Sequence, residues 1–463
     1  MPSVEILSRI QFAFTIAFHY IYPPLSIGLG LCLVIMEGLY LKTGLALYKD
    51  ITRYWIKIFA LIFGIGVATG IIMEFEFGTN WATYSHYVGD IFGSALAAEG
   101  IFAFAMESAF LGVLLFGWNR VNKGVHFFST CMVALGSIFS ALWIVIANSW
   151  QQTPTGFRIE GHDLQARAVV TDFWAMILNP SSVDRFSHVI IGAFLAGSFL
   201  VMSVAAWYVL KKRFVIHAQT MFKVGLSVAV IAALLQLFTG HRSAHYVSKY
   251  QPTKLAAMEG HYDSSAVAPM YLVGWVDNKQ EKTSGIKIPG GLSFLTHGSF
   301  SAPVEGLNAT PPADRPQAVN FVFQMYHLMI SIGMILIALT LLALVLLWRK
   351  KLFNQRWLMM IFTWAVLLPQ IANQVGWYTA EVGRQPWVVY KLLRTSDALS
   401  HKVTADEVVF SLVLFTLVYM LLFALFIYLL TRKIQHGPDI SDDADTEYEG
   451  YYKDNLTYHP TKL

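Results

Sequence analysis

The sequence predicts an all-α integral membrane protein with nine transmembrane helices. Hydrophobic residues make up 56% of its 463 residues and charged residues only 13%, about half the charged share of a soluble domain. Nine apolar stretches are each long enough to approach or exceed the ~20 residues that cross a bilayer. Backbone polar groups in lipid must bond to one another, so these stretches are predicted to be helices.

The predicted spans lie near residues 10–41, 54–77, 92–118, 125–149, 187–210, 215–240, 319–348, 357–377 and 407–431. The first apolar run is too long for a signal peptide and no small-residue cleavage site follows it, so it is interpreted as a span. Cys32 and Cys131 both lie inside apolar runs. They give no disulfide framework, and the sequence has no CxxCH motif for covalent haem attachment.

Positive charges collect in alternate connections between the spans. The basic residues of these connections are Lys42, Lys49, Arg53, Arg120, Lys123, Lys211, Lys212, Arg213, Arg349, Lys350, Lys351, Arg356, Arg432 and Lys433. The connection from Gly78 to Asp90 has no Lys or Arg. Because basic loops stay in the cytoplasm, the N-terminus is predicted outside and the C-terminus inside. The net charge of +4 is too small to indicate a nucleic-acid partner.

Two segments are predicted to lie outside the membrane. Residues 242–317 form a long outer loop between spans one to six (residues 1–241) and spans seven to nine (residues 318–433). A loop of this length is uncommon unless it is functional or disordered. Residues 434–463 form a polar, acidic tail, predicted to be cytoplasmic. No internal repeat at a fixed period is evident.

Ionisable and ligating residues within spans are costly, which makes them candidates for function. His19 lies in span one, His188 at the start of span five, Met329 in span seven and Glu381 just past span eight. Together they match the side chains that ligate haem iron. With the predicted orientation, all four lie in or near the outer half of the membrane. A lone His near a span end is more often an interface residue, and a Met in an apolar helix is usually packing.

A second set of polar residues could carry protons across the inner half. Glu99 and Glu107 lie on one face of span three, ~12 Å apart along the helix axis. Proton relays are built from such carboxylates, and Asn148 and Glu74 are further candidates. The alternative is that both glutamates are simply paired with polar neighbours on other helices.

Several motifs resemble cytochrome bd quinol oxidase, subunit I. They are MEFEFGTNW at 73–81, YSHYVGDIFG at 84–93, the AxEGxxAFxxES pattern at 97–108, KLAAMEG at 254–260 and GRQPW at 383–387. The resemblance covers nearly all of the membrane core, in order. It implies that His19 ligates haem d, or a further haem b, at the oxygen site. It also implies that Glu381 ligates a high-spin haem b, and that His188 and Met329 ligate a low-spin haem b.

The resemblance leaves two points about these ligands open. Met325 lies on the same helix as Met329 and is the rival ligand. The family usually has an Arg two residues before this Met, where the present chain has His327. A titratable imidazole is a weaker partner for haem propionates than a guanidinium. Arg384 in GRQPW is a natural propionate partner, because its fork matches a carboxylate, although it could instead form a structural salt bridge.

The loop at 242–317 resembles the short form of the family's quinol loop. This implies a quinol site formed by Lys254, Glu259 and Gln251. A carboxylate beside the quinol hydroxyl can accept its proton, while a cation orients the head group. Without the resemblance, Lys254 and Glu259 would be interpreted as a solvated charge pair on the surface.

The implied function is a terminal oxidase of the bacterial cytoplasmic (inner) membrane. Quinol is expected to be oxidised at the outer face and oxygen reduced to water with cytoplasmic protons, so that a proton gradient forms. Glu99, Glu107, Asn148 and Arg384 are the residues expected to serve turnover. The resemblance implies a second membrane subunit as partner, which the family often combines with a small single-span subunit. Two alternatives are a cofactor-free proton-coupled transporter or channel and a b-type electron carrier without an oxygen site.

Overall fold

Nine helices are long and apolar enough to cross a membrane in a computed structural model, which describes residues 3–440. This confirms the predicted fold class and the number of spans. Spans one to nine are Val4–Thr43, Ala46–Gly78, Ala82–Phe116, Lys123–Gln152, Ser182–Leu210, Val215–Tyr250, Val319–Trp348, Arg356–Val382 and Ala405–His436. Of the predicted tail, residues 441–463 lie outside the described residues, and the division of the chain into membrane, loop and tail segments stays a prediction.

Several helices extend beyond the apolar runs that predicted them. Span three begins at Ala82 rather than near residue 92, and span six continues to Tyr250 rather than ending near residue 240. Span eight reaches Val382, so Glu381 lies in its last turn and not beyond it. Hydropathy detects only the lipid-facing part of a helix, whereas the backbone hydrogen-bond pattern continues through polar residues.

Three of the described spans are interrupted along their length. Span one consists of helices Val4–His19 and Tyr22–Thr43, and the second helix carries Pro23 in its first turn, where the missing N–H costs nothing. Span eight consists of Arg356–Trp364 and Leu367–Val382, because Pro369 cannot donate to the carbonyl of residue 365. Span three contains a π-helical segment, Glu99–Phe104, between helices Ala82–Ala98 and Ala105–Phe116. Such segments are frequent at functional sites.

The largest buried cluster among the described residues draws most of its side chains from spans one, two, five and six. Tyr22, Trp55, Phe199 and Phe222 are among its fully buried side chains. Spans one and five approach each other closely at Gly28 and Gly197, where a Cβ on Gly28 would lie 2.2 Å from the Ala193 carbonyl oxygen. Small residues allow such backbone contact between membrane helices.

The connections between spans four and five, six and seven, and eight and nine meet at one end of the bundle, here called the loop end. Tyr390 N donates to Gln151 O at 2.9 Å, and Arg394 pairs with Asp314. The short helices of these connections are Phe173–Ile177, Pro252–Glu259 and Gly291–His297, with single 3-10 turns at Asp163–Gln165, Leu307–Ala309, Pro312–Asp314 and Ser396–Ala398. A further 3-10 turn, Leu352–Asn354, follows span seven.

Three antiparallel hairpins complete these connections. The paired strands are β1 (Phe157–Glu160) with β2 (Arg167–Val170), β3 (Met270–Asp277) with β4 (Lys282–Ile288), and β5 (Trp387–Val389) with β6 (Leu393–Arg394). Strand β3 is bound along span seven by three side chains spaced one helical turn apart. Asn320 accepts from Val276 N (3.1 Å), Gln324 donates to Gly274 O (2.9 Å) and His327 Nε2 donates to Tyr271 O (2.7 Å).

Candidate functional site

A cavity of about 620 Å³, here called cavity one, is lined by His19 and Glu381. Glu99, Glu107 and Arg384 line the same cavity. The structure therefore brings together one predicted iron ligand from span one, another from span eight, and both carboxylates of the predicted relay. Its volume lies within the range that is usual for a small-molecule or cofactor site.

The His19 ring is oriented by a threonine on span two. Its Nδ1 lies 3.0 Å from Thr69 Oγ1, and that hydroxyl is 3.0 Å from the Ile65 carbonyl, to which it donates. Because the Thr69 hydroxyl already donates its proton to a carbonyl, it can only accept from His19 Nδ1–H. The Nε2 of His19 therefore keeps its lone pair for a ligand. Gly70 leaves room for the ring, because a Cβ there would lie 3.3 Å from His19 Cε1.

Glu381 is bound by polar side chains from span four and from the segment that follows span eight. Its Oε1 accepts hydrogen bonds from Asn148 Nδ2 at 3.1 Å and Gln152 Nε2 at 3.3 Å, both on span four. Its Oε2 pairs with Arg384. In this structure Arg384 therefore forms the salt bridge that the sequence analysis gave as the alternative to a propionate contact.

Each relay carboxylate has a serine partner on span four. Ser140 donates to Glu99 at 2.5 Å and Ser137 donates to Glu107 at 2.6 Å. These are the pairings with other helices that the sequence analysis gave as an alternative, and they occur within the wall of cavity one. Glu74 also lines this cavity, whereas Glu76 is buried against Thr15, which donates to it at 2.7 Å.

Span four presents one face to four carboxylates from three other spans. In addition to Ser137, Ser140 and Asn148, this face carries Thr130, which donates to Glu37 at 2.5 Å. At 100° per residue these four positions fall within a sector of roughly 80°. Glu37 is also 2.6 Å from His126 Nδ1, and both residues are buried. The sequence analysis missed Glu37, which stands alone in an apolar run.

A second cavity of about 510 Å³, here called cavity two, is lined by His188 and Met329. His188 Nδ1 lies 3.1 Å from Thr239 Oγ1, and unlike His19 the ring also has an amide neighbour, Gln236 Nε2, at 3.1 Å from its Nε2. A Cβ on Gly376 would lie 2.8 Å from Met329 Sδ, so this glycine provides the space for the thioether. Met325 is not among the residues that line cavity two.

Arg185 lines both cavities and was missed by the sequence analysis. It lies one turn before His188 on span five and donates to Asn148 Oδ1. Its Nε and the Nη1 of Arg384 are buried without a hydrogen-bond partner among the described residues. The sequence could have indicated Arg185, because an Arg at the start of an apolar run is as costly as the His one turn later.

The loop residues are buried, so the interpretation of Lys254 and Glu259 as a solvated pair is wrong. They are 3% and 1% exposed. Gln251 Nε2 donates to Gln152 O at 2.9 Å and Lys254 Nζ to Gln152 Oε1 at 3.0 Å, so both residues contact the end of span four. Burial lowers the pKa of Lys254 well below its usual range, and the nearby Arg185 adds to this.

Glu259 lies apart from Lys254, although both belong to helix Pro252–Glu259. Lys254 lines cavity two, whereas Glu259 contacts Tyr326 of span seven. Burial raises the pKa of Glu259 to about 8, and the hydrogen bond from Tyr326 only partly offsets this. A carboxyl with such a pKa is suited to exchanging protons near neutral pH.

The comparisons with known proteins agree with this geometry. The profile of the cytochrome bd terminal oxidase subunit I family matches residues 7–438. The chain belongs to this family. Cytochrome bd ubiquinol oxidase subunit 1 of Bacillus subtilis is 39% identical over 450 residues, which cover 95% of each chain. Cytochrome bd-II ubiquinol oxidase subunit 1 of Escherichia coli is 35% identical, with coverage of 96% of this chain and 99% of the relative.

A solved structure has the same fold. The bd oxidase from Geobacillus thermodenitrificans superposes with a TM-score of 0.87 at 29% identity, with coverage of 94% of this chain and 99% of that one. The predictions of a cytochrome bd-type quinol oxidase and of a multi-pass protein of the bacterial inner membrane are thereby confirmed. Membership in the subunit I family also implies haem cofactors and a subunit II partner.

The residues present fit the haem groups that the cytochrome bd family implies. Each cavity offers a histidine whose Nδ1 is held by a threonine, and a second donor, Glu381 or Met329. Arg185 Nε and Arg384 Nη1 supply buried donors that an anionic group could satisfy. His327 is not part of this set, because it binds strand β3 and does not line cavity two.

Proposed function

We propose that the chain is the haem-containing catalytic subunit that oxidises membrane quinol and reduces oxygen to water. Cavity one carries this proposal, because candidate iron ligands and candidate proton carriers line a single space. Oxygen reduction consumes protons and electrons together, so a site for it needs both kinds of residue in contact with the same volume. When bound there, haem supplies the redox and oxygen chemistry.

The residues that would hold the haems divide between the two cavities. In cavity one, His19 would ligate haem d, or a further haem b, and Glu381 would ligate a high-spin haem b. In cavity two, His188 and Met329 would ligate a low-spin haem b. The placement of Met329, rather than Met325, in the wall of cavity two supports this assignment. Arg384, which pairs with Glu381 in this structure, would be placed to bind a haem propionate.

Quinol would be oxidised beside helix Pro252–Glu259. Glu259 would accept a proton from the quinol, Lys254 would hold a negative group in or beside cavity two, and Gln251 would fix the helix on span four. The pKa of about 8 supports the role of Glu259, because the carboxyl can both take up and release a proton. Lys254 places the quinol segment in contact with the cavity proposed to hold the electron acceptor.

The charge distribution supports an orientation with the loop end outside. The N-terminus would then lie outside and the C-terminus in the cytoplasm, as the basic connections predict. Quinol protons would be released outside, whereas the protons for water formation would arrive from the cytoplasm through Glu107 and Glu99, with Asn148 and Glu74 nearer the site. Subunit II, and a small single-span subunit if present, would cover part of the lipid-facing surface.

The experiment is a reduced-minus-oxidised absorption spectrum of the chain purified with its subunit II, combined with His19→Ala. We expect b- and d-type bands in the wild type. The variant should lose quinol-dependent oxygen uptake while keeping the low-spin b band. A spectrum without haem bands would instead favour the hypothesis of a proton-coupled transporter or channel. Oxygen uptake that survives in the variant with normal haem content would exclude His19 as the oxygen-site ligand.

A further inference from the structure

Three basic side chains meet at the wall between the two cavities, and they differ in which cavity they line. Arg384 lines cavity one only, Lys254 lines cavity two only, and Arg185 lines both. Of the carboxylates that the structure describes, Glu381 is the one bonded to them, directly to Arg384 and through Asn148 and Gln152 to the other two. Among the residues that the structure describes, this corner therefore has more buried basic side chains than carboxylates.

We propose that Arg185 binds carboxylate groups of the cofactors in both cavities and so couples their reduction potentials. The inference rests on the proposed function, because it takes haem to be the occupant of each cavity. It assigns to Arg185 a role that Arg384 and Lys254 each fill for one cavity only.

The geometry of Arg185 leaves most of its donors free for this role. A guanidinium has five N–H donors in a planar fork. Asn148 accepts from one terminal nitrogen, and the Nε has no partner among the described residues. Asn148 itself bonds to Glu381 at 3.1 Å, so it fixes one edge of the guanidinium and leaves the rest facing the cavities. Such an edge matches the two oxygens of a carboxylate.

The charge balance gives the chemical reason for an anionic ligand. Buried cations are stable only when paired with anions, because desolvation otherwise costs several kcal/mol for each ion. Glu381 can balance one of the three basic groups at most. Haem carries two carboxylate groups, so a haem in each cavity would supply the missing negative charge. Tyr20, Val189 and Trp377 also line both cavities, so the wall at Arg185 is one side chain thick.

The test is a redox titration of the haem bands in the purified oxidase, with Arg185→Gln, Arg384→Gln and Lys254→Gln compared. A nearby cation stabilises the reduced, more electron-rich haem, so its removal lowers the potential. We expect Arg185→Gln to lower the reduction equilibrium constant of the haems in both cavities by roughly tenfold, about 59 mV for a one-electron couple. Arg384→Gln should affect cavity one only and Lys254→Gln cavity two only. Arg185→Lys, which keeps the charge, should restore most of the shift.

Arg394→Gln is the matched control, since Arg394 lies at the loop end, pairs with Asp314 and lines neither cavity. It should leave all potentials unchanged. A shift confined to one cavity in Arg185→Gln, or none, would overturn the inference while leaving the proposed function intact. The variant could also bind less haem. Loss of haem from both cavities supports the inference. Loss from one cavity, with an unchanged potential for the haem in the other cavity, contradicts it. A wild type without haem bands would instead overturn the proposed function.

Discussion

Ser137 of span four donates a hydrogen bond of 2.6 Å to Glu107 of span three, inside the wall of the cavity that also contains His19. Ser140, about one turn further along the same face, binds Glu99 in the same way. Two carboxylates on one helix are thus each held by a hydroxyl on the next helix. The hydroxyls can accept as well as donate, so each pair can exchange a proton with a neighbouring water molecule.

Glu107→Gln should slow quinol-dependent oxygen uptake by on the order of 10²-fold, because it removes a protonatable group with little change in volume. The haem bands should keep their positions and intensities. Ser137→Ala, which leaves the carboxyl in place, should have a smaller effect. Ser94→Ala is the control, since Ser94 lies on the same span, bonds its own backbone and lines neither cavity. Near-normal turnover in Glu107→Gln would remove Glu107 from the proton path.

Quinol oxidation should accelerate as the pH rises from 7 to 9. Burial raises the pKa of Glu259 to about 8, so the carboxyl is neutral at pH 7 and becomes able to accept a proton above pH 8. Initial rates with a quinol donor should follow this titration in the wild type and be low and flat in Glu259→Gln. An artificial donor that bypasses the loop should give equal rates in both. Glu305→Gln, exposed in the same loop, is the control. Equal defects with both donors would place the fault in folding or haem insertion.

Gly376→Ala should displace the Met329 thioether without unfolding the chain. The new Cβ would lie 2.8 Å from Sδ, and the flexible methionine can move away where a backbone atom could not. The low-spin haem band should therefore shift or weaken, as measured by the absorption spectrum of the reduced enzyme. Gly64→Ala, where a Cβ meets nothing within 4 Å, should leave the spectrum unchanged. An unaltered low-spin band in Gly376→Ala would argue against Met329 as a ligand.

His327→Ala should loosen the β3–β4 hairpin. The variant loses the hydrogen bond of 2.7 Å to Tyr271 O, worth ~1 kcal/mol. Amide hydrogen exchange in strand β3 should accelerate about fivefold, while exchange in span five stays unchanged. His401→Ala, at an exposed position, is the control. If exchange in β3 is unaffected, then Asn320 and Gln324 suffice to hold the strand and His327 has another role.

The membrane architecture could be predicted from the sequence because lipid imposes a strong local rule. Each span must be apolar over about 20 residues, and hydropathy reads that directly. The same rule singled out His19, His188, Glu99 and Glu107 as costly residues, and the structure places all four at cavity walls. The cost of a polar group in lipid is a property of the residue and its local stretch, so no tertiary information was needed.

The features of the candidate site that could not be predicted depend on contacts between segments that are distant in the sequence. The burial of Lys254 and Glu259 results from how helix Pro252–Glu259 packs on spans four and seven, and no local pattern within the loop indicates it. The convergence of Arg185, Arg384 and Lys254 around Glu381 joins parts of the chain up to about 200 residues apart, a separation at which periodicity carries no signal.

Span four cannot accommodate an insertion or a deletion between Thr130 and Asn148. Its side chains that contact Glu37, Glu107, Glu99 and Glu381 must stay on the same face of one continuous helix. One added residue between Thr130 and Ser137 would rotate every later side chain by about 100° and detach three carboxylates together. Natural length variation in this protein is therefore expected to fall in the connections, and this helix should keep a fixed length from Thr130 to Asn148.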